Sequence, residues 1–282
     1  MKKNISTIIL ILIFIVGLSV LLYPTVSNYV NELHQSKAVA TYDEAVADMS
    51  DTDYTELFRA AEAYNKELAD NPDAFYTPEV LSGYKEKLNI NGTGIMGYIT
   101  IEKIGVELPI YHGTDPSVLE KACGHLEGTS LPIGGENTHT VLSAHRGLPS
   151  AKLFTDLDQI EEGDTFTITV LNRVMTYQVD EISIVLPGEV DSLKIKENED
   201  RCTLITCTPY GINTHRLLVH AHRIENLAGT ENVRISADAL QIEPLLVAPV
   251  LAIPILLVML IMVLIPHKKD DYRGDRENEE NL

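Results

Sequence analysis

The chain reads as a mainly β protein: an eight-stranded, closed or nearly closed barrel, preceded by N-terminal helices and flanked by two transmembrane helices. Three observations predict this. Eight short runs rich in β-branched and aliphatic residues lie between residues 97 and 221, with turn signals between them. Residues 28–70 instead carry apolar side chains at helical spacing, among them Val30, Leu33, Val39, Tyr42 and Val46. Finally, an uncharged apolar run stands near each end of the chain.

The elements follow in order. Residues 1–4 form a basic N-terminus, and 5–23 are apolar, close to the roughly 20 residues that a membrane-spanning helix needs. This run exceeds the usual apolar length of a cleaved signal, about 7–15 residues, and no small-x-small site follows it. It is therefore expected to stay as an anchor. Residues 24–69 form a helical segment, broken near 50–53. Asp53 and Glu56 have the spacing of a capping box opening a second helix over 54–68. Asp70-Asn71-Pro72-Asp73 ends it, and 70–91 is a loop holding Phe75, Tyr76 and Tyr84. The barrel is expected over 92–226, with strands at 97–101, 108–111, 138–144, 165–171, 174–179, 182–186, 202–207 and 217–221. A linker (227–244) leads to the second apolar run, 245–265, whose Pro249 and Pro254 suit a membrane helix better than a buried core helix. A charged tail, 266–282, closes the chain. Lysines flank the outer end of both runs, so both termini are expected in the cytoplasm and the barrel outside.

Lys and Arg number 22 against 41 Asp and Glu, a formal charge of -19. No basic stripe interrupts this acidity, which excludes nucleic acid as a partner. The three cysteines, Cys123, Cys202 and Cys207, are an odd count and suggest a free thiol rather than a disulfide framework. No His-Glu-x-x-His or paired Cys-x-x-Cys spacing marks a metal site, and no cofactor or metal is expected.

A nucleophilic cysteine needs a base or cation beside it, because a bare thiol is only a few per cent ionised at pH 7, with a pKa of about 8.5. Cys207 ends the β-branched run Thr203-Leu204-Ile205-Thr206-Cys207 just before Thr208-Pro209, at the exit of a strand. Cys202, five residues earlier, points to the opposite face. His145 ends a second apolar strand, and Arg146-Gly147 turns the chain away. Arg216 opens the strand after the loop that follows Cys207, so a hairpin returns its guanidinium beside the sulfur. Arginine keeps its proton and would donate to a developing oxyanion.

These residues resemble those of the sortase family. Thr203-Leu204-Ile205-Thr206-Cys207 is similar to the family's signature around its catalytic cysteine, 142–147 to its histidine region, and Arg216 holds the signature arginine position. Longer strings resemble the pilin-polymerising class C sortases: Ile110-Tyr111-His112-Gly113-Thr114, His145-Arg146-Gly147-Leu148-Pro149 and the run from Cys207 through Tyr210-Gly211-Ile212-Asn213 to Arg216. The resemblance implies a sortase-type barrel and a two-step acyl transfer. Cys207 would attack the Thr–Gly carbonyl of an LPXTG-like signal, His145 would protonate the departing amine, Arg216 would stabilise the oxyanion, and a pilin lysine would resolve the thioester. Its partners would be pilins or surface proteins bearing such signals.

The resemblance also implies a lid before the barrel, with an Asp-Pro-aromatic triad covering the site. Here Asp70-Asn71-Pro72-Asp73-Ala74-Phe75 departs from that triad, and Asp73 with Phe75 would supply the carboxylate and the ring, the carboxylate pairing with Arg216. The rivals are a housekeeping sortase that anchors proteins to the cell wall, a cysteine protease, a catalytically dead regulator, and a surface pilin or adhesin. The last would need an LPXTG-like signal before its C-terminal apolar run, where Ile242-Glu243-Pro244 stands instead.

Overall fold

In a computed structural model, the structure describes residues 2–90 and 92–226. The second apolar run, the linker before it and the charged tail lie outside the described residues. The chain begins with one helix, α1 (Lys2–Ala47), that passes through Pro24 without ending. The sequence divides an anchor from a helical segment near this proline; the structure makes them one rod, about 69 Å long at 1.5 Å per residue. Pro24 removes a single backbone donor, whereas the contacts downstream of it hold the helix in place. Asn28 accepts from the Lys152 amide (2.6 Å), Asn31 donates to the Ser150 carbonyl (2.6 Å) and Gln35 to the Lys121 carbonyl (2.8 Å). Tyr42 is fully buried; its hydroxyl donates to the Met96 carbonyl at 2.9 Å and accepts from the Leu171 amide at 2.8 Å. The segment from Ile9 onward is long and apolar enough to cross a membrane.

Helix α2 (Asp51–Asp70) starts three residues earlier than the sequence suggested. Its N-cap is Ser50, and the capping partner is Asp53: the Ser50 hydroxyl accepts the Asp53 amide, and the Asp53 carboxylate accepts the Ser50 amide at 3.0 Å. One face of α2, made by Phe58, Ala61, Tyr64, Asn65 and Leu68, packs on the barrel. Asn65 pairs with both backbone groups of Leu131 as a strand neighbour would (3.1 and 2.7 Å). Short 3-10 turns at Pro72–Phe75, Pro78–Val80 and Tyr84–Glu86 then lead to the barrel.

The described residues contain eight strands: β1 (Ile95–Ile101), β2 (Val106–His112), β3 (Cys123–His125), β4 (Thr138–Ser143), β5 (Thr165–Val170), β6 (Arg173–Val185), β7 (Asp200–Thr208) and β8 (His215–Ile224). They close into a barrel in the order β1-β2-β3-β4-β7-β8-β6-β5. The β2/β3 and β4/β7 pairs are parallel and the other pairs antiparallel. The seam between β1 and β5 requires Gly97, because a Cβ there would stand 2.2 Å from the Thr169 carbonyl oxygen.

Alternation along β4, β7 and β8 sorts the side chains. Leu142, Cys202, Leu204, Leu217, Val219 and Ala221 belong to the main core inside the barrel. Val141 and Leu218 form a second cluster with Leu193, against which Ile205, Val185, Leu126 and Phe75 pack. This second cluster lies on the outer face of the same three strands, and residues 145, 207 and 216 share its parity.

Candidate active site

Backbone register builds the site. β4 runs parallel to β7 with Ser143 beside Ile205, and the Ala144 amide continues the ladder to the Ile205 carbonyl at 3.2 Å. Two further steps of this register bring residue 145 level with residue 207. On the other side, Cys207 is the direct antiparallel partner of Arg216. Neighbouring strands lie about 4.8 Å apart, so Cys207 and Arg216 stand side by side on the outer face, and His145, two residues past the end of β4, follows in the line of the same register.

The loop carrying His145 is tied to both flanks of Cys207. Thr206 donates from its hydroxyl to the Ala144 carbonyl at 2.9 Å. Arg146 donates from Nη1 to the Thr208 hydroxyl at 3.4 Å, pairs through Nη2 with Asp158, and lies over the Tyr210 ring at 5.9 Å. The Phe154 amide holds the His145 carbonyl at 3.1 Å. Thus residues 144 and 146 are fastened to residues 206 and 208, which fixes the backbone of the imidazole next to that of the thiol. From sequence, Arg146 has only the role of turning the chain. Its neighbours Asp158, Thr208 and Tyr210 are distant in sequence, so no local signal marks it.

Of the three thiols, Cys207 is half-buried and reachable from solvent, while Cys123 and Cys202 are fully buried. Burial pushes both buried thiols upward, further from ionisation at neutral pH. The Arg216 guanidinium folds back on its own loop, donating from Nη1 to the carbonyls of Asn213 (3.2 Å) and His215 (3.0 Å). Among the described residues Nε and Nη2 have no partner, and these planar donors remain for an anionic oxygen. Among the described residues no group of three or more His, Cys, Asp or Glu is arranged to hold a metal.

The outer face continues away from Cys207 into a chain of buried polar groups. His139 donates from Nδ1 to the Lys194 carbonyl (2.9 Å), its Nε2 meets the Thr203 hydroxyl (2.7 Å), and that hydroxyl meets Nδ1 of His220 (2.8 Å). Desolvation pulls the His139 imidazole down to about 4 and that of His220 below its ordinary value, so both are neutral at pH 7. This network ties the loop around Lys194 to the sheet.

The segment ahead of the barrel lies against this face. Ala74 is fully buried, and Phe75 packs on the outer cluster that includes Ile205, one pleat before Cys207. Gly128 permits the close fit: it has φ +87, and a Cβ there would stand 2.8 Å from the Phe75 carbonyl oxygen. Asp73 does not meet the expected partner. No ion pair joins it to Arg216 among the described residues; Asp73 is exposed and lines a separate cavity of about 860 Å3 between the end of α2, the Pro72–Phe75 turn and the loop at Lys194. Asp73 and Phe75 both line this cavity, but only the Phe75 ring also packs on the outer cluster. That cavity includes Phe75 but none of Cys207, His145 and Arg216 in its lining.

Comparison with known proteins follows the same lines. Residues 99–224 match the Sortase domain family model. The chain is similar to the crystal structure of sortase C1 from Streptococcus agalactiae, with 46% identity and a TM-score of 0.62, over 68% of this chain and 100% of that one. It is similar to the X-ray structure of Clostridium perfringens sortase C with the C-terminal cell wall sorting motif (41% identity, TM-score 0.60, 68% of this chain and 100% of that one). Sortase A of Streptococcus agalactiae serotype III is 30% identical over 148 residues, 51% of this chain, and the chain spans 58% of the length of that curated relative. With this barrel order, and an outer face that aligns its cysteine, histidine and arginine strands, the chain belongs to the sortase family, within the group represented by the class C structures.

Proposed function

We propose that the protein is a membrane-anchored cysteine transpeptidase that joins pilin subunits through LPXTG-like sorting signals. One observation carries the reading: the two residues flanking His145 are tied to the two residues flanking Cys207, while Arg216 pairs with Cys207 across the hairpin. Nucleophile, proton carrier and oxyanion donor then converge on one amide.

In the first half-reaction, the Cys207 thiol passes its proton to His145 and its sulfur bonds to the Thr carbonyl carbon of the signal. Nη2 and Nε of Arg216 hold the oxyanion. The Thr–Gly C–N bond breaks, and His145 gives its proton to the departing amine. In the second, a lysine amine of another pilin attacks the thioester, His145 takes the amine proton, and Cys207 leaves as the isopeptide bond forms. No metal or redox step is needed, because electrons only move between acyl bonds. Phe75 is a lid over the groove, and residues 70–91 form the lid segment. Helix α1 crosses the membrane, with the barrel on the outer side.

Mass spectrometry of the protein incubated with an LPXTG-type peptide tests this. An acyl adduct on Cys207, absent in Cys207→Ala and retained in Cys202→Ala, is expected; an adduct elsewhere, or none, refutes it. Offering a pilin lysine peptide and a cell-wall precursor amine in competition then separates pilin joining from wall anchoring by the product formed.

A further inference from the structure

Helix α1 has two faces beyond its apolar run. Asn28, Asn31, Gln35, Val39, Tyr42 and Val46 face the barrel, and most of them are bonded to or buried against it. At 100° per residue, Val26, Val30 and Leu33 fall on the opposite face. They are 52%, 42% and 51% exposed, which is unusual for an aliphatic stripe on a helix already docked along its other side. This stripe continues the exposed apolar surface of Val16, Val20 and Tyr23 without a gap.

Charge on this face is equally one-sided. In a chain of formal charge -19, the exposed positions from Val26 to Ala40 hold no acidic residue, and His34 and Lys37 are their basic groups. Glu32, on the flank, is taken by Asn28 at 2.7 Å. Exposed acids return only at Asp43 and Glu44. The aliphatic stripe and the lysine above it have the pattern of a helix face in contact with lipid and its anionic headgroups.

Length agrees. From residue 5 to Leu33 is 28 steps, about 42 Å at 1.5 Å per residue, which matches a bilayer of about 40–45 Å including both headgroup layers. We propose that the Val26-Val30-Leu33 face of α1 is buried in the outer headgroup layer of the bilayer, so that the barrel sits directly on the membrane. The proposal rests on the reading that α1 spans the membrane. Its consequence is specific. Asn28 and Asn31 grip the loop at Ser150 and Lys152, only five to seven residues past His145, so that loop stands at headgroup level. The helix is continuous, so no linker lets the site rise from the surface.

The test is photo-crosslinking of the full chain in vesicles of phosphatidylcholine and phosphatidylglycerol. A diazirine amino acid is placed singly at Val16, Val30, Leu33 or Ala40, which avoids thiol chemistry at Cys207. Lipid adducts at 30 and 33, comparable to those at 16 and several-fold above those at 40, are expected. If 16 gives lipid adducts while 30 and 33 do not, or crosslink to a second copy or to residues 245–265, the seating is wrong and the span stands. If 16 gives no lipid adduct, the span itself fails and takes the proposal with it.

Discussion

Phe75→Ala tests whether the segment ahead of the barrel guards the thiol. The ring is half-buried against the outer cluster of Val141, Leu193 and Leu218, with Ile205 beside it. Burying a whole phenylalanine side chain is worth about 1.5–3 kcal/mol, so this half-buried ring contributes about 1–1.5 kcal/mol to docking. Ala74 and Leu81, buried in the main core, keep the rest of the segment attached. Because 1.4 kcal/mol is a factor of ten, truncating the ring raises the undocked population about five- to tenfold. Ile205 and Cys207 share a face two residues apart, about 7 Å, so undocking uncovers the approach to the sulfur. The rate of Cys207 labelling by a methanethiosulfonate reagent, under conditions where opening is fast, is expected to rise by the same factor. Val80→Ala is the control: that side chain lies on the same segment, is 56% exposed and belongs to neither buried cluster. A labelling rate within about twofold of the parent, with unchanged thermal stability, would show that the ring does not gate the site.

Other expectations follow from single contacts. Tyr42→Phe removes a buried hydroxyl and leaves the Met96 carbonyl and the Leu171 amide unpaired, so denaturant unfolding should show a loss of about 2–4 kcal/mol. His125 is fully buried, its Nε2 donating to the Ser130 carbonyl at 2.8 Å, and burial lowers its pKa to about 4. The unfolded imidazole titrates near 6.5, so its contribution is complete above that pH and is lost as pH falls towards 4, about 3 kcal/mol in all; His125→Gln should abolish that part of the acid slope in unfolding measurements. Gly128→Ala sets a Cβ against the Phe75 carbonyl in a left-handed conformation and should speed Cys207 labelling as Phe75→Ala does. Arg146→Lys keeps the charge but loses the fork to Thr208 and Asp158, so turnover should fall about ten- to hundredfold through misplacement of His145, with Cys207 labelling unchanged. Unchanged turnover would remove Arg146 from the positioning of the loop.

The strand count agreed with the sequence for a mixed reason. The pattern missed β3, whose three residues Cys123, Gly124 and His125 are too short to show alternation. It also split β6 in two, because Asp180-Glu181 reads as a polar break. The structure carries the strand through with a register shift between Val179 and Glu181, and Asp180 pairs with Arg201 at 2.8 Å and His222 at 3.0 Å. A bulge of this kind is stabilised by partners on other strands, which local periodicity does not see.

Cys207, His145 and Arg216 were legible as strand ends, because apolar runs stop at Pro209 and Gly147 and resume at Arg216. Asp73 was legible only as a residue near an aromatic ring, and it lines the separate cavity instead. Alternation and termination are properties of one stretch of backbone, so the sequence alone determined the class of fold, the place of Cys207 near the exit of a strand and the apolar N-terminal helix. Which strands close the barrel and bring the site together depends on two pairings between stretches 60 or more residues apart, Tyr98 with Thr169 and Ser143 with Ile205. Only tertiary structure decided those pairings, and with them the ties through Thr206 and Arg146, because hydrogen bonds across a barrel answer to the closure of the whole sheet rather than to any local propensity.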